Sequence, residues 1–439
     1  MGKLLILFIS LFAQLTALFS KNLYFDPKED IESHFPQTIQ LAKGVVQSSL
    51  TVRRNKVNIE EAQSNVLIAN SFSGFKTYLS MNTQSVHENR PEERYSHRFR
   101  TFGSITIRKP IYHWGALKAK SRIAKLSHEF AIQNSEYSKS ELVINIKSEF
   151  MNLVLLSLEF DEAKKNLEVR QIHEQYTKKK SDLGRVTELQ LSEAKISKLD
   201  QTLRVSELGR LLETQLSNFV YDTGYKEKIN LKVPESFRNF CLSHNFGENI
   251  PQLIGSISSN KIDHLNSNIE KEKNNIEISD AANKPKFNLI GGFFQDQIDL
   301  PNNTKPIRRN NLLIGIEANW ELWDSSRAKG EKSIAITRKR KWEMELENIS
   351  KKLRLEIDDL QRQLYNLKSQ IELSKEIISA AKNRLEKSQI ELNAKRITTV
   401  KHFEAEIGYS NSSVNLIRNV FNYMKTKSKY ELILRQPNS

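Results

Sequence analysis

Nine histidines and one cysteine are the side chains of this 439-residue sequence in which chemistry is most easily sought. His128-Glu129 and His173-Glu174 each begin like the helical zinc-protease pattern, in which two histidines four residues apart hold the metal around a basic glutamate. The second ligand is missing from both, because Ile132 and Thr177 stand where it belongs. Cys241 has no second cysteine with which to form an intrachain disulfide or a zinc pair. No phosphate-cradling GxxxxGK, no GxGxxG after a strand and no GxSxG elbow occurs. The acidic residues follow the solvated pattern of helix surfaces. The sequence therefore predicts no enzyme, no cofactor and no metal site.

Charge points to no particular partner. The formal net charge is +15 and the pI about 9.5. A basic chain binds polyanions when its charge is clustered, but here Lys and Arg alternate with Glu and Asp along the helical stretches. No nucleic-acid partner is expected.

The elements that carry these residues form a repeat. Phe99–Arg122 (FRTFGSITIRKPIYHWGALKAKSR) runs from an alternating strand into a long helical pattern, and Asn310–Arg327 (NNLLIGIEANWELWDSSR) does so again about 211 residues later. Phe75 and Phe287, Val66 and Ile278, and Ala69 and Ala281 keep nearly the same offset, as do GRVTELQLSEA from Gly184 and KRITTVKHFEA from Lys395. A register held across four elements implies duplication.

In each copy, two segments alternate with period two. Phe75, Thr77, Leu79 and Met81 share one face, and so do Phe99, Thr101, Gly103, Ile105, Ile107 and Ile111. In the second copy the faces are Phe287, Leu289, Gly291 and Phe293, then Leu312, Ile314, Ile316, Ala318, Trp320 and Leu322. Gln84–Arg98 and Asp296–Arg309 read as polar loops. Four strands with one apolar and one polar face fit the dyad pattern of a transmembrane barrel.

Long helices follow. No proline falls between Pro110 and Pro234 or between Pro306 and Pro437, and the apolar residues space at three and four, from Val143 to Leu167 and from Leu346 to Leu385. About 70 residues of helix reach roughly 100 Å. Leu183-Gly184 marks the first turn, where glycine adopts a left-handed conformation most easily; Lys395 holds that place in the second. Return helices carry Leu189 to Phe219 and Phe403 to Tyr423.

The expected boundaries are a leader at 1–20, a first repeat at 21–220 (strands about 72–86 and 99–113, hairpin about 114–220), a connector at 221–260, and a second repeat at 261–436 (strands about 286–296 and 310–323, hairpin about 327–434). The leader, with Lys3 before an apolar run, has the pattern of a secretory signal peptide ending at Ala17 or Ser20, an uncleaved anchor being the alternative. No other run of about 20 apolar residues suggests a spanning helix.

Leader, then twice helix, strand, loop, strand, long helix, turn and return helix: this order resembles the TolC-like outer-membrane efflux protein family (outer membrane factors). The pieces that carry the resemblance are PIYHWGALKAK with ELWDSSRAKGE, LGRVTELQLSEA with KRITTVKHFEAE, and AANKPKF. It implies an α+β membrane protein, a duplicated strand and helical-hairpin repeat. Three chains would close a trimeric 12-stranded β-barrel, continued by a periplasmic α-helical coiled-coil barrel. It further implies a passive exit duct of a tripartite efflux or type I secretion system in the outer membrane of a Gram-negative bacterium, with an inner-membrane transporter and a periplasmic adaptor as partners. A periplasmic adaptor or a structural coiled-coil protein is the alternative.

On that resemblance the apolar faces meet outer-membrane lipid. Tyr112, Trp320 and Trp323 lie near the membrane interface, and Lys76, Arg100, Arg108, Glu317 and Glu321 face the lumen. Arg185, Arg396, Lys401 and Glu404 belong to the periplasmic entrance. Lys401 stands where the family leads one to expect aspartate, Lys395 replaces a glycine, and Ser73 stands opposite Pro285, departures that bear on the entrance charge and its gating; the basic composition suggests a lumen less acidic than the family norm.

Overall fold

A computed structural model describes residues 27–90, 93–225, 228–247, 250, 259–298 and 307–434. The expected leader at 1–20 lies outside them. The chain divides into two compact units. One gathers the described residues of Met1–Arg54, Ser135–Ser259 and Ser350–Ser439, the other Asn55–Asn134 and Asn260–Ile349.

The helices in chain order are α1 (Gln37–Ser48), α2 (Leu50–Ser71), α3 (Ala116–Asp182), α4 (Glu188–Thr223), α5 (Glu235–Ser243), α6 (Asn260–Asp280), α7 (Arg327–Asn393) and α8 (Thr399–Leu434). Duplication shows in their lengths: α3 and α7 each have 67 residues, α4 and α8 each 36. Uninterrupted helix of this length needs sequence free of proline, which both stretches supply.

The strands are β1 (Lys76–Arg90), β2 (Glu93–Tyr112), β3 (Lys286–Ile298) and β4 (Ile307–Asn319). They form one antiparallel sheet in the order β1-β2-β3-β4. The central seam joins the two repeats, from Arg100 opposite Ile298 to Tyr112 opposite Phe287, with an irregularity after Pro110. That is where a residue without an N–H is tolerated within a sheet.

The strands depart from the sequence reading at both ends. Gln84–Arg98, read as a loop, is largely strand: Gln84 pairs with Arg100, Ser85 with Phe99 and His87 with His97. Asp296 and Arg309, read as the ends of a second loop, pair across β3 and β4. Backbone ladders need no apolar side chains, so the fading of the apolar alternation does not mark where pairing stops. At the other end β4 stops at Asn319, leaving Trp320, Glu321 and Leu322 beyond it. Pro301 and Pro306 lie outside the described residues.

Backbone conformation carries the repeat where side chains have diverged. Trp114 and Gly115, before α3, have φ of 52° and 85°; Ser325 and Ser326, before α7, have 53° and 68°. At the hairpin turns Gly184 has φ 67° and Lys395 has 57°. Both turns close identically. The N–H groups of Gly184 and Arg185 donate to Ser181 and Lys180, and those of Lys395 and Arg396 to Leu392 and Glu391, the paired bonds of a Schellman cap. Thr187 and Gln190 then form a capping box that starts α4, and the Thr398 hydroxyl takes the N–H of Lys401 at the start of α8. A left-handed lysine is strained where glycine is not. Lys395→Gly is expected to stabilise the protein by about 0.5–1 kcal/mol and Gly184→Ala to destabilise it by about 1 kcal/mol, read as opposite shifts of the thermal unfolding midpoint.

The core of the first unit is aromatic. Phe35, Phe150, Phe237 and Phe421 are buried together, with ring centroids 5.4–5.5 Å apart for Phe35–Phe150, Phe35–Phe237 and Phe237–Phe421. Ile357, Leu364 and Ile371 from α7 and Leu416, Val420 and Tyr423 from α8 complete it. The predicted seams are buried at Ile146, Phe150, Leu153, Leu353, Leu360, Leu364, Ile371 and Ile378. The first return helix differs. Leu189, Leu199 and Leu203, with Ile196, are exposed on α4, although apolar residues at that spacing share one helix face.

Candidate functional site: the two faces of the sheet and the hairpin turns

Period two sends alternate side chains to opposite faces, and the register fixes which residues share a face. One face is apolar: Leu79, Ile105, Phe293 and Leu312 form one row across the four strands, and Thr77, Ile107, Gly291 and Ile314 the next. These side chains are not packed against the rest of the chain. Leu79 is 79% exposed, Leu312 78% and Ile314 77%. A contiguous exposed apolar sheet face is a surface made for lipid or for another protein.

The opposite face is polar and holds two cross-strand ion pairs. Arg100 of β2 grips Asp296 of β3 bidentately, Nε to Oδ1 at 3.1 Å and a terminal nitrogen to Oδ2 at 2.9 Å. Arg108 of β2 reaches Glu317 of β4 at 3.2 Å, and the Asn288 amide donates to the same carboxylate at 3.4 Å. His113 joins Asn288 at 2.9 Å. Each pair is solvent-accessible, so it orients side chains across the strands more than it stabilises the sheet. Lys76, Lys286 and Arg309 lie on this face as well.

Aromatic side chains gather where the strands give way to helices. Tyr112 meets Trp114 edge-on, ring centroids 5.0 Å apart, and Trp114 Nε1–H donates to the Pro285 carbonyl at 2.8 Å. Trp320 Nε1–H donates to the Asn283 carbonyl at 3.0 Å, and Trp323 is exposed. Rings with one apolar body and one satisfied polar handle suit a membrane–water boundary.

The sequence-predicted residues thus separate into groups. Lys76, Arg100, Arg108 and Glu317 share the polar face. Glu321 lies beyond β4, paired with Arg327 at 2.8 Å in the first turn of α7. Asp324 caps that turn, and the N–H of Ala328 holds its carboxyl below the usual aspartate range. Tyr112, Trp320 and Trp323 lie at the strand-to-helix end. Arg185, Arg396, Lys401 and Glu404 are exposed at the hairpin turns, where no side-chain ion pair joins them in the described chain.

Trp114, Asp296, Lys286 and Arg309 were missed. The signal for Trp114 was the aromatic pair Tyr112-x-Trp114 itself; for Asp296 and Arg309 it was polar alternation continuing past the apolar band. Cys241 lies on the buried face of α5, and that burial pushes its thiol up to about 12, so it is no nucleophile. Among the described residues no three metal-capable side chains converge, and no helix is long and apolar enough to cross a membrane.

Comparison with known proteins places this geometry. No family model and no curated protein sequence matches the chain. Solved structures do match. The CmeC outer membrane channel of Campylobacter jejuni aligns over 90% of this chain and 85% of its own, at 15% identity and a TM-score of 0.72. The outer membrane protein VceC of Vibrio cholerae aligns over 91% and 95%, at 14% identity and 0.67. The open-state MtrE outer membrane channel of Neisseria gonorrhoeae aligns over 93% and 94%, at 12% identity and 0.65.

Proposed function

From a chain with the fold of outer-membrane channels, we propose a trimeric export duct of the outer membrane. It passes solutes delivered by an inner-membrane transporter through a periplasmic adaptor. The observation that carries this reading is the sheet, one face exposed and apolar, the other polar and ion-paired. Among the described residues β1 and β4 each have one strand neighbour. Unpaired backbone groups are intolerable in hydrocarbon, so a sheet of this kind spans a membrane only as part of a closed barrel. Four strands do not enclose a passage, and three copies supply twelve.

Lipid then covers the apolar face, with Tyr112, Trp114, Trp320 and Trp323 at its boundary, while Lys76, Arg100, Arg108 and Glu317 line the lumen. The helical unit supports the same assembly. The exposed row Leu189, Ile196, Leu199 and Leu203 of α4 is a seam that a neighbouring copy would bury. Arg185, Arg396, Lys401 and Glu404 belong to the periplasmic entrance, opened or closed by contacts at the turns. The duct performs no chemistry, and its energy comes from the transporter.

A periplasmic adaptor is built on one helical hairpin, whereas this chain has two, each fed by a pair of strands. The test is fractionation of the full-length protein expressed in a Gram-negative host, followed by detergent extraction and mass determination. An outer-membrane particle of three chains is the expected result. A soluble or inner-membrane monomer would overturn the proposal.

A further inference from the structure

We infer that the passage favours anions, and that its natural cargo is a negatively charged solute. The inference rests on the channel reading and names its substrate class. It starts from the charge balance of the sheet's polar face, where both described carboxylates are already engaged. Asp296 is gripped by Arg100 and also has Arg309 directly opposite it on β4. Glu317 is held by Arg108 and Asn288. Lys76 and Lys286 add positive charge, and among the side chains described no further carboxylate lies on that face. The Lys76 ammonium sits 5.2 Å over the Phe72 ring, a contact that leaves its charge intact.

The second hairpin turn carries the same sign: Lys395, Arg396 and Lys401 stand against Glu404, all of them exposed, whereas in the first Arg185 stands against Asp182 and Glu188. A lumen walled by low-dielectric protein focuses such a field and raises the local concentration of the opposite ion. With a screening length of about 10 Å at 0.1 M salt, a wide pore feels that field mainly at low ionic strength. The preference therefore weakens as salt is added.

The experiment is reversal-potential measurement in planar bilayers holding the purified full-length protein under a KCl gradient. The expected result is a chloride-to-potassium permeability ratio above one that falls toward one with rising salt. The double variant Lys76→Glu/Lys286→Glu should lower the ratio, and Lys76→Gln/Lys286→Gln should give an intermediate value. Both variants leave the Arg100–Asp296 and Arg108–Glu317 pairs in place. They are read only from preparations with the wild-type particle mass. Cation preference in the wild type, or a ratio that neither variant moves, would overturn the inference while leaving the channel standing. Absence of any conductance would overturn the channel reading, and the inference with it.

Discussion

Replacing Ile314 by arginine is expected to abolish recovery of the protein from the outer-membrane fraction, while the same replacement at Leu313 leaves it there. The two residues are adjacent in β4, and their side chains leave opposite faces of the sheet. Ile314 belongs to the apolar row with Thr77, Ile107 and Gly291; Leu313 stands opposite Gly292, on the face that holds the ion pairs. A guanidinium on the lipid face of a barrel strand costs about 2–4 kcal/mol near the bilayer midplane, and in the proposed trimer that cost recurs in every copy, whereas a lumen position keeps its water. The measurement is the amount of each variant in outer membranes and the heat resistance of the extracted particle. Equal loss in both would show that the faces are not solvated differently.

The second large effect lies in the helical unit. Lys427 of α8 is 1% exposed, and its ammonium lies 3.5 Å from Glu29 and 3.3 Å from Asp30. Glu29 is buried too, and its carboxylate accepts from the Tyr423 hydroxyl at 3.2 Å and the Gly247 N–H at 3.2 Å, with His244 Nε2 at 3.4 Å. Burial, then the adjoining Glu29 carboxylate, pushes the Tyr423 phenol above its ordinary range, so it remains a hydrogen-bond donor at any physiological pH.

Removing one member of a buried pair strands the other. Lys427→Met is expected to cost about 3–5 kcal/mol. Glu29→Gln/Lys427→Met should recover much of that loss, because a neutral amide keeps hydrogen bonds without a buried charge. Denaturant unfolding of the two single variants and the double variant, in detergent, gives the coupling. A single Lys427→Met variant as stable as the parent would show that the cluster contributes nothing.

These two features were not equally legible in the sequence. The apolar face of the sheet could be read directly, because period two admits no other arrangement once Leu312, Ile314 and Ile316 are seen. The helical seams were legible from their three-and-four spacing in the second repeat, where Leu353, Leu360, Leu364 and Ile371 are all buried. The first return helix was legible only as apolar; nothing in its spacing says whether the burying partner belongs to the same chain.

The Glu29 cluster was invisible. In a sequence where acids and bases alternate throughout, one glutamate near the start and one lysine near the end carry no mark of meeting. The strand ends were hidden because the apolar signal stops before the hydrogen bonds do. Lys395 was found by its offset from Gly184, not by its type. That offset also unites Trp114-Gly115 with Ser325-Ser326, four residues whose types alone would place them in different kinds of turn.

The two open edges of the sheet also set a kinetic requirement. If the sheet belongs in lipid, β1 and β4 cannot wait there as a lone chain, because each unpaired N–H and C=O costs several kcal/mol in hydrocarbon. Insertion and association then become one event, whose rate depends steeply on how many chains are present together. At low expression the protein should linger outside the bilayer, exposed to proteases. Its yield in the membrane should rise faster than in proportion to its synthesis.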